Sequence, residues 1–428
     1  MKSSSALVGL DYINSREMWR GGYDFGLDSI RAVLKQLANP QDLASTVHVT
    51  GTNGKGSVSV AIAAILARSG KSVGLFTSPH LVRANERIVI DGLPIDDGFL
   101  SECAITVQEA ELQCQKDLSY FEFLTACAFV AFAKSRVGWQ VLEVGLGGRL
   151  DATNVISSPR ACVLVSVELD HEHALGPSKA HIASEKVEIF KPGAKLFAGK
   201  LSPVAHEIAL AKAQTMRSEI REFGRDFHGE SAGDGSFSYS DRYGRSVTTR
   251  LGLNGAHQVH NMSVAAATCL SLGASEDAVI NGLSTVFWPA RLERQQVRGR
   301  EVILDCAHNP AGVEALAAFL EQEKLFNLEI GVGFLTTKCW KEMISTLSPY
   351  VAKWNLLEPD SDSAVPTNQV GEVLSSNGIS FESFGREYRR FVSSMLSSDH
   401  DTPLLITGSI YLVGVLRVIL GLNERPLW

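Results

Sequence analysis

Lys55 stands among three glycines, Gly51, Gly54 and Gly56, with Ser57 directly behind them, in the stretch His48-Val49-Thr50-Gly51-Thr52-Asn53-Gly54-Lys55-Gly56-Ser57-Val58. Such residues suit one task, holding an anion. Glycines let backbone N–H groups turn inward, a helix start adds partial positive charge, and a lysine adds a full one. Ser57 can offer a hydroxyl to a magnesium ion. The usual phosphate-loop spacing puts that hydroxyl immediately after the lysine, whereas here Gly56 intervenes. A glycine-rich turn alone would also serve a plain tight turn. Lysine, serine and flanking elements together point to nucleotide phosphate binding.

Three more residues could add metal chemistry. Glu143 lies in an apolar run, Gln140 to Val144, where a carboxylate is costly without a partner. Magnesium is one such partner, and a buried ion pair with Arg149 is the other. Ser78 follows a strand reading, Lys71 to Thr77, and precedes Pro79, so it is a rim ligand or a turn serine. His171 closes Glu168-Leu169-Asp170-His171 after the strand Ala161 to Val167, where it is a ligand or a solvated surface histidine. Parallel sheets place ligands beyond the carboxyl ends of their strands, the rim on which all three would fall.

The elements that must position these residues follow from periodicity. Residues 1–46 read as largely helical, with Ile30, Val33, Leu34 and Leu37 on one face and Asn39-Pro40 as a stop. Val47 to Thr50 reads as a buried strand and Val58 to Ala67 as a helix ending at Gly70, so the first unit is βαβ. Asp97 to Lys134 reads as mostly helical, and the stretch through Lys186 as a helix on which that lysine would ordinarily be solvated. Residues 215–250 alternate as short antiparallel strands would. Trp288 to Glu293 reads as a linker, after which strand candidates at Val302–Cys306, Glu329–Gly333, Trp354–Leu357 and Leu404–Thr407 alternate with helices. The expected division is a nucleotide-binding domain at 1–287, a linker at 288–299 and a smaller α/β domain at 300–428.

Composition narrows the function classes. The chain has 428 residues, 45% hydrophobic and 20% charged, which suits two or three globular domains. A net charge of −7 argues against a nucleic-acid partner. The seven cysteines form no Cys-x-x-Cys pair, which fits reduced thiols in a cytoplasmic protein and argues against structural zinc. Pro403 to Leu422 is long enough to span a bilayer, but it contains Arg417 and reads as a strand followed by a core helix, so no membrane partner is expected.

With these residues in view, the chain resembles the folylpolyglutamate synthase and dihydrofolate synthase family, a branch of the Mur ligase superfamily. The resemblance covers nearly the whole length. It rests on HVTGTNGKGSV, TSPHLVRANERIVIDG, SYFEFLTA, LEVGLGGRLDATN, LDHEHALG with IASEK, GAHQVHN, WPARLE, DCAHNP and ITGSIYLVG, in that order. It implies an α/β fold with a phosphate-loop-containing Mur-ligase-type large domain on a parallel sheet and a smaller Rossmann-like C-terminal domain. It also implies an ATP-dependent ligase that joins L-glutamate to dihydropteroate or to a folate through an acyl phosphate.

The resemblance further implies roles. Gly54, Lys55, Gly56 and Ser57 hold the ATP phosphates, and Ser57, Ser78, Glu143 and His171 ligate one or two Mg2+ ions. Lys186 falls where the family often carries a carbamylated lysine, whose carbamate can bind metal. Asn261, Arg291 and Asp305 match nucleotide contacts, so that ATP would lie between the domains. Ser119, Tyr120, Phe121, Glu122, Leu150, Asp151 and Ala152 match the pterin side. His308, Ser409 and Tyr411 match positions facing the incoming glutamate, and the family is commonly monomeric. Two departures stand out. Thr336-Thr337-Lys338-Cys339 replaces a family Ala-Asp-Lys-Asp stretch, and Val187-Glu188-Ile189 replaces Ala-Gly-Ile, putting a negative charge beside the expected metal site. The alternatives are a Mur-type ligase with another carboxylate acceptor, a non-catalytic nucleotide-binding relative and, least favoured, a GTPase-like switch.

Overall fold

The buried run Thr46 to Thr50 forms β1 (Ser45–Thr50) at the centre of an eight-stranded sheet. The structure is a computed structural model that describes residues 5–16, 26–232, 235–397, 402–422 and 425–428. The other strands of this sheet are β2 (Val73–Phe76), β3 (Ile88–Ile90), β4 (Leu93–Pro94), β5 (Trp139–Glu143), β6 (Ala161–Leu164), β7 (Lys195–Ala198) and β8 (Ile220–Glu222). Their order is β4-β3-β2-β5-β1-β6-β7-β8. All neighbouring pairs are parallel except β2–β3 and β3–β4. β1, β2, β5 and β6 therefore share one carboxyl rim, from which the segments bearing Lys55, Ser78, Glu143 and His171 emerge. Register makes the adjacency specific, with Val49 opposite Glu143 and Thr50 opposite Leu164.

Apolar helices cover this sheet. Lys55–Arg68 is buried from Ser57 to Leu66, and Tyr120–Lys134 from Phe123 to Phe132. A helix apolar on nearly every side must be enclosed. Helix Glu276–Thr285 lies so close to Lys55–Arg68 that a Cβ on Gly282 would come within 2.8 Å of the Ile65 Cα. The polar, alternating region expected as short strands is an antiparallel sheet of β9 (Phe227–Ser231), β10 (Phe237–Asp241) and β11 (Ser246–Thr249).

The chain divides into two compact units. One comprises residues 1–252, 259–287 and 426–428, and the other residues 253–258 and 288–425. The second unit holds a six-stranded sheet of β12 (Glu293–Val297), β13 (Arg300–Leu304), β14 (Leu328–Val332), β15 (Val351–Leu357), β16 (Phe381–Gly385) and β17 (Leu404–Thr407). Its order is β12-β13-β17-β14-β15-β16, and only β12 runs antiparallel to its neighbour. Residues 293–297, read from sequence as linker, are thus an edge strand. Among the described residues no helix is long and apolar enough to cross a membrane, and Ile410–Ile419 packs as a core helix.

Candidate active site

β1 ends at Thr50, and Gly54 caps the following helix with φ +82°, a conformation that favours glycine. A Cβ there would also press within 2.6 Å of Asn261 Oδ1 and 3.0 Å of Val165 Cγ1. Having no side chain, Gly54 itself places no cap hydrogen bond over the helix start. The first intrahelical bond runs from Val58 N to Gly54 O at 2.9 Å, so the N–H groups of Lys55 and Gly56 precede the helical ladder. Such a backbone arrangement is suited to an anion.

Two ammonium groups meet at its base. Lys55 Nζ donates to Gly51 O at 3.0 Å and to Thr52 O at 3.2 Å, and Lys186 Nζ donates to the same Gly51 O at 2.9 Å. Lys186 is therefore no solvated helix lysine; only 4% of it is exposed. Burial, and then the Lys55 ammonium, push its pKa down to about 7, against the pull of Asp170 and Asp151. A phosphate would add negative charge beside these two amines, and a carbamate formed on Lys186 would turn one of them into an anion.

On the neighbouring rims, Ser78 N donates to Glu143 Oε2 at 3.2 Å, and Glu143 is buried. Arg149, the alternative partner for Glu143, makes its ion pair with Glu185 at 3.0 Å. His171 takes a left-handed backbone, φ +52°, with its N–H on Asp170 Oδ1 at 2.9 Å and its imidazole half-exposed. No cluster of three or more His, Cys, Asp or Glu among the described residues could hold a metal. The Ser57 and Ser78 hydroxyls and the Glu143 carboxylate are oxygen donors of the kind Mg2+ takes, the rest of its shell being water and substrate phosphate, whereas the His171 imidazole is a softer donor. Glu188 does not burden this site, because Lys212 neutralises its carboxylate at 2.8 Å.

The residues matched to the pterin side follow around β5. Ser119 caps Tyr120–Lys134, and Glu122 returns the contact, its Oε2 accepting from Ser119 N at 2.9 Å and Oγ at 2.7 Å. The Arg87 guanidinium lies 5.5 Å from the Tyr120 ring centroid. Phe121 packs on Phe76, centroids 5.8 Å apart, and its ring fills the space beside Gly145. Asp151 is committed to its own loop. Oδ2 accepts from Gly145 N at 2.9 Å and Leu146 N at 3.0 Å, while Oδ1 accepts from the Thr153 N–H and hydroxyl. Leu150 beside it is partly exposed, whereas Ala152 is buried.

Sequence reading gave no role to several residues that shape this rim. His48 Nε2 pairs with Thr153 Oγ1 at 2.8 Å, and complete burial pushes its pKa down to about 3, keeping it neutral. Thr52, Asn53 and Ser166 bind the phosphate loop to the exit of β6. In the sequence Thr52 and Ser166 show only as hydroxyl residues at strand ends, and Asn53 takes part through its backbone alone.

The second unit has its own rim. Asp305, just beyond β13, accepts from Leu292 N at 2.9 Å and Ala307 N at 2.8 Å, fastening the segment that carries Arg291. Burial raises its pKa, and Arg291 opposes that shift. His308 donates through Nδ1 to the Cys306 carbonyl at 2.8 Å, which leaves Nε2 as an acceptor in the neutral ring. Ser409 stands at the N-cap position of helix Ile410–Ile419 and is fully buried, and among the described residues its hydroxyl finds no hydrogen-bond partner. Tyr411 follows it, partly exposed.

A parallel sheet with a glycine–lysine loop, followed by a second α/β unit, is the architecture of nucleotide-dependent ligases of the Mur type, and comparisons with known proteins place the chain in that class. Residues 49–269 match the Mur ligase middle domain. The chain is 36% identical over 406 residues to the folylpolyglutamate synthase of Lacticaseibacillus casei, covering 91% of this chain and 92% of that protein. Its fold superimposes on Mycobacterium tuberculosis folylpolyglutamate synthase, solved with ADP and AMPPCP, with a TM-score of 0.87, 29% identity and coverage of 99% and 100%. It also superimposes on Escherichia coli FolC in complex with DHPP and ADP, with a TM-score of 0.84, 27% identity and coverage of 98% of each chain. This chain belongs to the folylpolyglutamate synthase/dihydrofolate synthase family.

Proposed function

We propose that this protein is an ATP-dependent ligase that adds L-glutamate to dihydropteroate, to a folate, or to both. The observation that carries this reading is the convergence of Lys55 and Lys186 on one carbonyl at the base of a helix start capped by glycine. A carboxylate resists attack because its charge repels nucleophiles and its oxygen leaves poorly. Transfer of the γ-phosphoryl group to it gives an acyl phosphate, and the glutamate amine then displaces phosphate to form the amide. The protein's part is to gather anions and neutralise them.

In this reading the N–H groups of Gly54, Lys55 and Gly56 face the ATP phosphates, Lys55 leaves the Gly51 carbonyl for a phosphate oxygen, and Asn261 contacts the nucleotide. Ser57, Ser78, Glu143 and His171 would hold Mg2+, which when bound neutralises phosphate charge and polarises the phosphoryl group. An amine with a pKa of about 7 is substantially neutral at physiological pH, so Lys186 can add CO2 and release a proton to become a carbamate. Ser119 to Glu122 and Leu150 to Ala152 form the pterin-side wall. For the second unit, the proposal assigns glutamate recognition to His308, Ser409 and Tyr411, and nucleotide contacts to Arg291 and Asp305. Seven free cysteines support a cytoplasmic setting, and we propose a monomer.

The test is a coupled assay of ADP release with dihydropteroate and with tetrahydrofolate, each with and without glutamate. ADP release that requires both a pteroyl acceptor and glutamate is expected. An unchanged rate without them would defeat the proposal, and turnover only with a different carboxylate acceptor would retain the ligase and replace its substrate.

A further inference from the structure

A peptide loop holds an anion only if its carbonyl dipoles point elsewhere, leaving the N–H groups that have no partner in the protein to face the ligand. In the 51–54 loop every carbonyl has an occupant. Gly51 O takes the two lysines, Thr52 O takes Lys55, Asn53 O accepts from Ser166 Oγ at 2.9 Å, and Gly54 O takes the helix amide of Val58. The Lys55 ammonium is free to leave for a phosphate. Ser166 is not, because its hydroxyl also accepts the Asn53 N–H at 3.0 Å. One hydroxyl thus fixes both polar backbone groups of Asn53.

Thr52 repeats the arrangement from the other side. Its Oγ1 accepts the Glu168 N–H at 3.0 Å and donates to the Glu168 carbonyl at 3.1 Å, while its own N–H donates to Ser166 O at 2.9 Å. Each hydroxyl reaches across to the other's segment, so residues 52–53 and 166–168 are bound as one piece. Asp170 and His171 follow directly from that piece.

We infer that Ser166 and Thr52 are positioning residues, a reciprocal hydroxyl clamp that sets the N–H face of the phosphate loop and ties it to the strand exit delivering His171. This rests on the ligase reading above. Without the clamp the Thr52–Asn53 and Asn53–Gly54 peptides can rotate, turning a carbonyl toward the phosphates, and His171 loses its fixed offset from Lys55. Nucleotide affinity and magnesium requirement then change together.

The experiment compares Ser166→Ala, Thr52→Val, the double variant and Ser166→Thr with the unaltered protein. It uses steady-state kinetics in ATP, magnesium titrations and calorimetric binding of ADP. Each single variant should raise KM for ATP about tenfold, the scale of one or two lost hydrogen bonds, while kcat changes much less. The magnesium midpoint should rise in parallel. The double variant should fall well short of the product of the single effects, because both hydroxyls hold one loop. Ser166→Thr, which keeps the hydroxyl, should retain wild-type KM. Variants that only lower the melting temperature, with KM and magnesium midpoint unchanged, would overturn the inference. Should Ser166→Ala not fold, Thr52→Val reads the same clamp from its other half. If the unaltered protein bound no ADP the ligase reading would fail, whereas normal ADP binding by every variant would sink the clamp alone.

Discussion

Lys186 is a lysine that the fold keeps from water, and its burial has a pH signature. Its amine titrates at about 7 in the folded protein against 10.5 in an open chain. Between those values the unfolded chain holds a proton that the native state refuses. Stability therefore rises as pH climbs from about 7 toward 10.5, and the full cost is present below 7. Melting temperature measured over this range in CO2-free buffer should climb in the wild type relative to Lys186→Met. In air-equilibrated buffer, intact mass should show the added carbamate mass once trapped by alkylation, and none in the variant. Lys55→Ala should cut kcat/KM at least about a hundredfold by removing charge from the developing phosphoryl group. Glu143→Ala should do the same with the fold intact, and activity surviving in it would show that magnesium is held elsewhere.

At the scale of elements, the start of helix Tyr120–Lys134 is held by the Ser119–Glu122 capping box. Ser119→Ala removes that acceptor and should cost about 1 kcal/mol of stability, read as a lower urea midpoint at unchanged slope. Any rise in KM for the pteroyl substrate beyond that loss would mark Ser119 as a ligand contact as well as a cap. The same scale explains what could be read in advance. β1, its glycine loop and helix Lys55–Arg68 were legible because a short β-branched run, glycines and a long apolar run follow one another. β12 and β16 were not, since Glu293-Arg294-Gln295-Gln296-Val297 buries a glutamate in place of an apolar residue and Phe381-Glu382-Ser383-Phe384-Gly385 leaves its first three side chains in water, as edge strands can. Their strand character comes from a neighbour's backbone, not from an apolar pattern. The burial of Lys186 was equally hidden, because the carbonyl it seeks lies 135 residues away in the chain. Glu188 misled for the same reason, its partner Lys212 standing on a later helix.

At the scale of the whole molecule, the two units each carry their own core, so unfolding need not be a single transition. The second is pinned by a buried charge network. Arg300 reaches Glu329 at 2.6 Å, Met395 O at 2.7 Å and Thr402 O at 2.9 Å, and Lys353 and Asn355 complete the carboxylate's shell. Burial alone would raise the Glu329 pKa, but its bonds to Lys353, Arg300 and Asn355 outweigh that and lower it. The stability it contributes is present above its ordinary value of 4.5 and is lost as pH falls through the lower native one. Arg300→Met leaves that carboxylate to Lys353 and Asn355 and should cost about 1–3 kcal/mol, the scale of a lost charge-assisted hydrogen bond, seen as an earlier urea transition of the second unit.

The final residues return to the first unit. Leu427 N donates to Gly92 O and Leu427 O accepts from Phe287 N, both at 2.8 Å, and Trp428 lies against Gly92. Cutting the gene after codon 287 would therefore not yield a self-sufficient first half. The excised piece would lack the tail that seals it, exposing a seam at Gly92 and Phe287, and a short graft of the last residues onto its end should improve its solubility.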